Sequence, residues 1–414
     1  MRAFLILFLL FVLGESANWI MIQGVQKSSG HYPWGFVQVK HEQNSGEVII
    51  EDGINKTPFS YLQPLVQNQS EFSLSRFRLG VRGGFDDANK INYDLLTEFA
   101  PNGINNPLGE KHSVYLTDAS ITLKYLPIYI KAGKFKYPGS EEGMLALFAT
   151  PFINFTTLSD QLLLERFVDS ELSKPSQGVG GYRDSGVEIF QNFTLYENTG
   201  LTFAYMYGNG SGTAHTNINK GEPTQYGYIA FEQLYGKGKG YRVESLKFYL
   251  WLHSGKRYLL TQDEFFKRER SGLGITYFQN GLRLEGEYAQ GSGMIGSGAK
   301  DISVDPLQNE WLFQTVASAD AKASGYYLAT TYELTQSIEL LARYDKYDRM
   351  TNNKNLYRVF ETFTTGFSYK IKNYNRIDLN YAMNSINAPY NRVAQNILDA
   401  AGNQLSVQFT LLLK

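Results

Sequence analysis

Ser324-Gly-Tyr-Tyr-Leu-Ala-Thr-Thr-Tyr-Glu-Leu334, then Thr335-Gln336-Ser337, then Ile338-Glu-Leu-Leu-Ala-Arg-Tyr-Asp-Lys-Tyr-Asp-Arg349 read as two alternating segments joined by a tight turn. Successive side chains of a strand point to opposite faces. Ile338, Leu340, Ala342 and Tyr344 therefore share one face, and Glu339, Arg343 and Asp345 the other. One face suits lipid and the other suits water. Repeated along a chain, that arrangement is the signature of a closed transmembrane β-barrel with a wet interior.

It is repeated. Period-two alternation marks sixteen segments: Trp34–Gln43, Ser70–Phe85, Ile91–Ala100, Val114–Leu126, Ile128–Tyr137, Asp184–Tyr196, Gly200–Gly208, Gln225–Tyr235, Tyr241–Ser254, Arg268–Gln279, Leu282–Gly291, Ala323–Leu334, Ile338–Asp348, Phe360–Ile371, Arg376–Ile386 and Asn403–Leu413. Short turns join them in pairs: Asp86–Lys90, Leu126-Pro127, Glu197–Gly200, Gly236–Gly240, Asn280-Gly281, Thr335-Gln336 and Lys372–Asn375. Asn280-Gly281 is the sharpest, since both residue types accept the positive φ of a type I′ hairpin. Longer connections lie between the pairs, around 44–69, 101–113, 138–183, 209–224, 255–267, 292–322, 349–359 and 387–402. Short turns alternating with long loops predict an even-stranded antiparallel barrel with both ends of the sheet on the short-turn side.

Length and composition bound the rest. A chain of 414 residues has room for several ordinary domains, but large barrels are single domains. The net charge is −1, so no global field points to nucleic acid. Cysteine is absent, which excludes disulfide scaffolds, thiolate metal sites and thiol nucleophiles together. Residues 1–16 read as an export signal: Arg2, the apolar run Ala3–Leu13, and small residues at Gly14 and Ser16 before Ala17. That run is too short for the ~20 residues of a membrane helix. Residues 17–33 are expected to form an N-terminal periplasmic segment, and 34–414 the barrel.

A soluble β-fold also alternates. Two features favour the membrane. Arg376, Asp378, Asn380 and Asn384 oppose Ile377, Leu379, Tyr381 and Met383, and Arg283, Glu285 and Glu287 oppose Leu282, Leu284 and Tyr288. Tyrosines recur near strand ends, at Tyr125, Tyr129, Tyr137, Tyr205, Tyr207, Tyr344 and Tyr369, as interfacial girdles require.

Five stretches carry a family resemblance: Arg76–Gly83, Ile130–Pro138 leading into a long loop, Tyr182–Glu188, Glu339–Asp345 and Gly402–Leu412. In this order they resemble porins of the phosphate-selective O/P type, over most of the chain from Ser70 onward. The resemblance implies a sixteen-stranded trimeric porin of a Gram-negative outer membrane, with the third long loop folded into the lumen. The ending Leu413-Lys414 departs from the aromatic final residue common in such barrels, although Leu405, Val407, Phe409, Leu411 and Leu413 keep a lipid-facing row.

A channel needs no bond-making residue, only a constriction whose size and field discriminate among solutes. Residues 139–181 form a loop too long to lack a task. Within it, Leu158–Phe167 is expected to form a short helix capped by Ser159, with Leu162, Leu163 and Phe167 against the wall. Asp160, Glu165, Arg166 and Asp169 would supply field. On the wall, Arg76, Arg78 and Arg82 share parity, as do Lys134 and Lys136; Lys131 has the opposite parity. Lys124, Arg343 and Arg376 extend the cationic lining. Two alternatives stay open: the loop is an external flap, or these cations merely pair with carboxylates such as Asp118, Glu339, Asp345 and Asp378. The loop carries Glu141, Glu142, Asp160, Glu165, Asp169 and Glu171 against Arg166 and Lys174, which argues against strong phosphate selectivity.

The expected function is passive diffusion of small hydrophilic solutes and inorganic ions, mildly anion-preferring, through a homotrimer seated in outer-membrane lipid, with no cofactor and no nucleic acid. The competing readings are a surface-exposed binding or adhesion barrel, a substrate-specific channel, and an enzyme housed in a barrel. For the last, His253 beside Ser254 is the one pair at hand, and no third member accompanies it. Gly291–Gly296 matches G-x-G-x-x-G in spacing only, since no helix follows. His31, His41, His112, His215 and His253 lack metal-ligand spacing. Asn55, Asn68, Asn154, Asn192 and Asn209 fit N-x-S/T, too short a pattern to carry weight.

Overall fold

A computed structural model describes residues 30–47, 49–51, 54–56, 70–100, 114–165, 181–212, 220–236, 240–259, 263–297, 303–305, 310–312, 316–318, 320–372, 375–399 and 401–413. Sixteen strands close a single antiparallel barrel. They are β1 Gly30–Asn44, β2 Ser70–Gly84, β3 Ile91–Glu98, β4 Tyr115–Leu123, β5 Tyr129–Lys136, β6 Arg183–Tyr196, β7 Thr199–Gly208, β8 Thr224–Leu234, β9 Ser245–Leu259, β10 Glu264–Gln279, β11 Leu282–Ser292, β12 Lys322–Glu333, β13 Ile338–Arg349, β14 Arg358–Lys372, β15 Asn375–Asn387 and β16 Gln404–Leu413. Each pairs with its sequence neighbours, and β1 pairs with both β2 and β16, the latter from Gly35↔Leu413 to Asn44↔Gln404. Closure leaves no ladder edge unpaired, which is what lets strands cross hydrocarbon. No helix among the described residues is long and apolar enough to cross a membrane.

The alternation decides which side of the sheet is wet. Along β13, Glu339, Arg343, Asp345 and Arg349 are buried inside the barrel, while Leu340 points out. Along β15 the same holds for Arg376, Asp378 and Asn380 against Ile377 and Tyr381. Leu250, Leu252, Leu273 and Leu328 are each more than half exposed, whereas Gln38, Ser368, Asp378 and Thr410 are not exposed at all. Such a distribution is inside-out for a protein in water and correct for one ringed by lipid.

Asn280 (φ 50°) and Gly281 (φ 79°) turn β10 into β11 as the sequence predicts. Boundaries differ from expectation by more than three residues at three places. The sheet begins at Gly30, so 30–33 belong to β1. The connection expected at 255–267 shrinks to 260–263, because β9 and β10 stay paired out to Leu259↔Glu264. The turn expected at Gly236–Gly240 runs from Tyr235 to Glu244 and includes a 3₁₀ turn, Gly240–Arg242. Three-residue ladders, 49–51 with 54–56, 295–297 with 316–318 and 303–305 with 310–312, decorate the first and sixth long loops.

Candidate functional site: a loop tied across the barrel

The third long loop leaves β5 and turns inward, which removes the external-flap alternative for its described part, up to Glu165. It opens with a one-turn helix, α1 Glu141–Met144. The last carbonyls of a helix lack internal partners. Here the Lys136 ammonium donates to the carbonyls of Gly143 (2.9 Å), Met144 (3.3 Å) and Leu145 (2.8 Å). Glu141 meets the far wall, accepting from Lys247 of β9 (2.8 Å) and from the Tyr228 hydroxyl of β8.

The chain then touches one strand after another. Gln38 of β1 donates to the Leu147 carbonyl (3.4 Å), and Arg376 of β15 to those of Phe148 and Thr150. Asn380 of β15 accepts from the Ile153 N–H (3.0 Å) and donates to the Pro151 carbonyl (3.2 Å). On β13, Arg343 donates to Glu142 (3.1 Å) and to the Asn154 carbonyl (2.9 Å), Asp345 accepts from the Thr157 N–H (2.8 Å), and Arg349 donates to Gln161 (2.9 Å). Most of these bonds involve a charged group, the stronger class. Leu158 and Leu162 reach the wall where it carries glycine: a Cβ on Gly291 of β11 would lie 2.6 Å from Leu162 Cδ1, and one on Gly325 of β12 3.1 Å from Leu158 Cδ1.

The helix expected at Leu158–Phe167 is instead a π turn, Ser159–Leu163, entered through Leu158. Ser159 does not cap it. The Thr156 hydroxyl accepts from the Ser159 N–H (3.1 Å) while donating to Glu142 (2.6 Å). Asp160 is buried in that turn. Glu165, at φ 53°, ends the described segment inside an arginine cluster: it contacts Arg268, and its oxygens lie 3.5 Å from Arg270 and 3.7 Å from Arg257. Burial pushes the Glu165 carboxyl up, but the three guanidiniums outweigh it and hold the group below the usual carboxylate range. Arg270 also donates to the carbonyls of Leu162 (3.0 Å), Gly293 (2.9 Å) and Met294 (2.9 Å), joining this loop to the root of the sixth.

Arg76, Arg78 and Arg82 do line one inner face of β2. Arg76 donates to Gln38 (2.8 Å), Arg78 pairs with Glu98 (2.7 Å), and the Arg82 guanidinium lies over the Trp34 ring at 5.1 Å. The described loop carboxylates Glu141, Glu142 and Glu165 pair with cations on β9, β10 and β13. Arg376 pairs with Asp378 (2.8 Å) and Arg183 with Asp118 (2.8 Å), so local pairing describes much of the wall. Lys124 sits one residue past β4, on the short-turn rim. On β5 alternation fails: Gly133 adopts φ 129°, and Lys131 and Lys134 are both buried on either side of it. Arg166, Phe167, Asp169, Glu171 and Lys174 lie outside the described residues, as do residues 1–29.

Arg257, Arg268 and Arg270 were not among the residues singled out from sequence. A signal for two of them is in the sequence, because Arg268 and Arg270 share parity; Arg257 lies in a stretch whose charges read as loop. His253 and Ser254 point to opposite faces. His253 is buried against Tyr137, Tyr226 and Trp251, its Nε2 on the Pro138 carbonyl (3.0 Å). Among the described residues no three His, Asp or Glu side chains gather as a metal site requires.

A closed sixteen-stranded barrel with its third loop inside is the porin fold. No protein-family model and no curated protein sequence matches the chain. Among solved structures it is similar to the anion-selective porin from Comamonas acidovorans (TM-score 0.54, 14% identity, 92% of this chain and 98% of that one). It is similar also to the outer membrane channel DcaP of Acinetobacter baumannii (0.52, 12%, 97% and 100%). A third likeness is to OmpT, an outer membrane protein of Vibrio cholerae, in its trimer form (0.51, 10%, 94% and 100%). At these identities the likeness is one of fold.

Proposed function

We propose that this chain is an outer-membrane porin: a water-filled channel through which small hydrophilic solutes and inorganic ions diffuse passively, assembled as a homotrimer. The observation that carries this reading is the third loop, which crosses the lumen and is tied to β1, β9, β10, β13 and β15. A loop fixed at that depth narrows a pore without plugging it by a separate domain, and sets its size and field. The apolar outer belt supports the membrane seat, and the likeness to a trimeric outer membrane protein supports the assembly. Residues 1–16 serve as the export signal.

Selectivity among ions is weak in this reading. Arg78, Arg183, Arg343 and Arg376 each stand against a carboxylate, so neither sign dominates the wall. Phosphate selectivity, which the motif resemblance implies, draws no support from that pairing. Arg76, Arg78, Arg82, Lys134 and Lys136 line one side of the passage, and Glu165 and Asp160 belong to the loop that narrows it.

Single-channel recording in planar bilayers tests the proposal. The expected result is stable ohmic conductance with a small reversal potential in a potassium chloride gradient. Arg78→Glu replaces the cation that Glu98 faces with a second carboxylate and is expected to move that potential toward cation preference. A barrel that inserts but passes no current would refute the channel, and a wild-type reversal potential in the variant would refute the lining.

A further inference from the structure

The turn from β8 to β9 does not stay at the rim. Its 3₁₀ turn, Gly240–Arg242, carries Tyr241 and Arg242 inward on the side opposite the long loops. Strand β11, two strands along, holds the first of them. The Arg283 guanidinium donates to the Tyr241 carbonyl and lies over the Tyr241 ring at 3.6 Å, and the Tyr241 hydroxyl donates to Glu285 (3.0 Å). Arg283 and Glu285 share the inner face of β11, so Tyr241 is held over the wet side of the sheet. It borders the same space as Glu141 and Glu142 of the third loop and Arg343 of β13.

Arg242 reaches further. Glu333 and Glu339 stand directly opposite each other beside the β12–β13 turn, and like charges so placed repel. Lys370 of β14 answers both, at 2.7 Å from each. Arg242 brings a second cation, 3.2 Å from Glu333 and 3.8 Å from Glu339, while 37% of its side chain stays exposed. The β8–β9 turn and the β12–β13 turn are four of the sixteen strand intervals apart, a quarter of the ring, so Arg242 bridges a chord of the lumen. The level of that chord is fixed by β11. Arg283 and Glu285 hold the turn, and Glu287 accepts from Ser140 (2.9 Å), Trp251 (2.7 Å) and Tyr327 (3.1 Å), which fixes the root of the third loop. Glu285 and Glu287 are two positions apart, about 7 Å of strand.

We infer that the β8–β9 turn is a second restriction of the passage, set on the short-turn side of the loop, with Tyr241 and Arg242 as its size-determining residues. The inference rests on the channel reading and adds where else that channel selects. A pore discriminates by its constrictions, and two so close together act in series. A compact solute passes them one after the other; an elongated rigid one has to satisfy both at once. Arg242 and Lys370 balance Glu333 and Glu339, so this level sorts by size more than by sign of charge.

Polyethylene glycols of graded mass and a charged methanethiosulfonate are the probes, applied to single channels from each side in turn. Tyr241→Ala and Arg242→Ala should each raise the open-channel conductance. Each should also shift upward the largest polymer admitted from the short-turn side, with the limit from the loop side as in the wild type. The chain has no cysteine, so Arg242→Cys offers the thiol reagent a single target. Labelling from the short-turn side should lower the current in discrete steps that dithiothreitol reverses. Should Tyr241→Ala fail to fold for want of its Arg283 and Glu285 contacts, the two Arg242 variants carry the test, since that side chain is 37% exposed. Unchanged conductance and polymer limit in Arg242→Ala, or complete labelling of Arg242→Cys with no loss of current, would overturn the inference. A wild type that passes no current removes the channel reading and this restriction with it; a conducting wild type matched by its variants removes the restriction alone.

Discussion

Replacing Glu165 with glutamine removes the one carboxylate that, among the described residues, three buried guanidiniums share. Arg268 contacts it, and Arg270 and Arg257 stand at 3.5 and 3.7 Å. Breaking a buried ion pair by removing one partner costs about 3–5 kcal/mol, since the surviving charge stays desolvated and uncompensated. Three cations losing one anion should reach the upper part of that range. Arg270 keeps its bonds to the Leu162, Gly293 and Met294 carbonyls, so the loop is loosened at its far end and not released. The expected record is an otherwise normal open level interrupted by brief transitions, a shift of reversal potential toward anions, and a lower unfolding midpoint. The double variant Glu165→Gln/Arg268→Gln should recover part of that stability. In the wild type the Glu165 carboxyl is held below its ordinary range, so its contribution is complete above the unfolded value. It is lost only as pH falls through the depressed folded value. Flicker should therefore appear in the wild type under strongly acid conditions and be independent of pH in the variant. A Glu165→Gln channel as quiet, as selective and as stable as the wild type would refute the clamp.

Two other substitutions probe the barrel itself. Leu328→Arg puts a cation on the outer face near the middle of β12 and should cost about 2–4 kcal/mol in lipid, read from urea unfolding in vesicles; an unchanged midpoint would mean that this face does not meet hydrocarbon. Gly133→Ala forces a side chain onto φ 129°, with its Cβ 2.1 Å from the Ala119 carbonyl oxygen. It should cost at least about 1–3 kcal/mol in the same assay, and full stability would show that the β4–β5 pairing tolerates rearrangement.

Sequence alone carried the strand inventory because two local signals coincided. Side chains had to alternate between hydrocarbon and water, and turn residues such as Asn280-Gly281 fixed where pairs began. Both fail above the membrane. Gly255, Lys256, Arg257 and Lys267 resemble loop, since a strand standing clear of lipid tolerates charge on both faces, and the β9–β10 hairpin is longer than its alternation for that reason. The arginine row of β2 is legible from parity, but the pairing of Arg78 with Glu98 on the next strand is not. The loop's anchors lie from about 100 to more than 200 residues away along the chain, as Arg268 does from Glu165 (|i−j| = 103) and Arg343 from Glu142 (|i−j| = 201), and no local pattern encodes such pairings. Gly133 breaks the alternation that sorted Lys131 from Lys134. Ser159 had the right residue type for a cap and Thr156 had the right geometry.

The seam between β1 and β16 makes the cylinder's assembly all-or-none with respect to synthesis. The strand that seals it is translated last, so until then the two flanking ribbons offer bare amide and carbonyl rows to any extended neighbour. Such a polypeptide cannot mature piecemeal as it emerges. Until the seam pairs, those open rows leave the unfinished sheet prone to self-association.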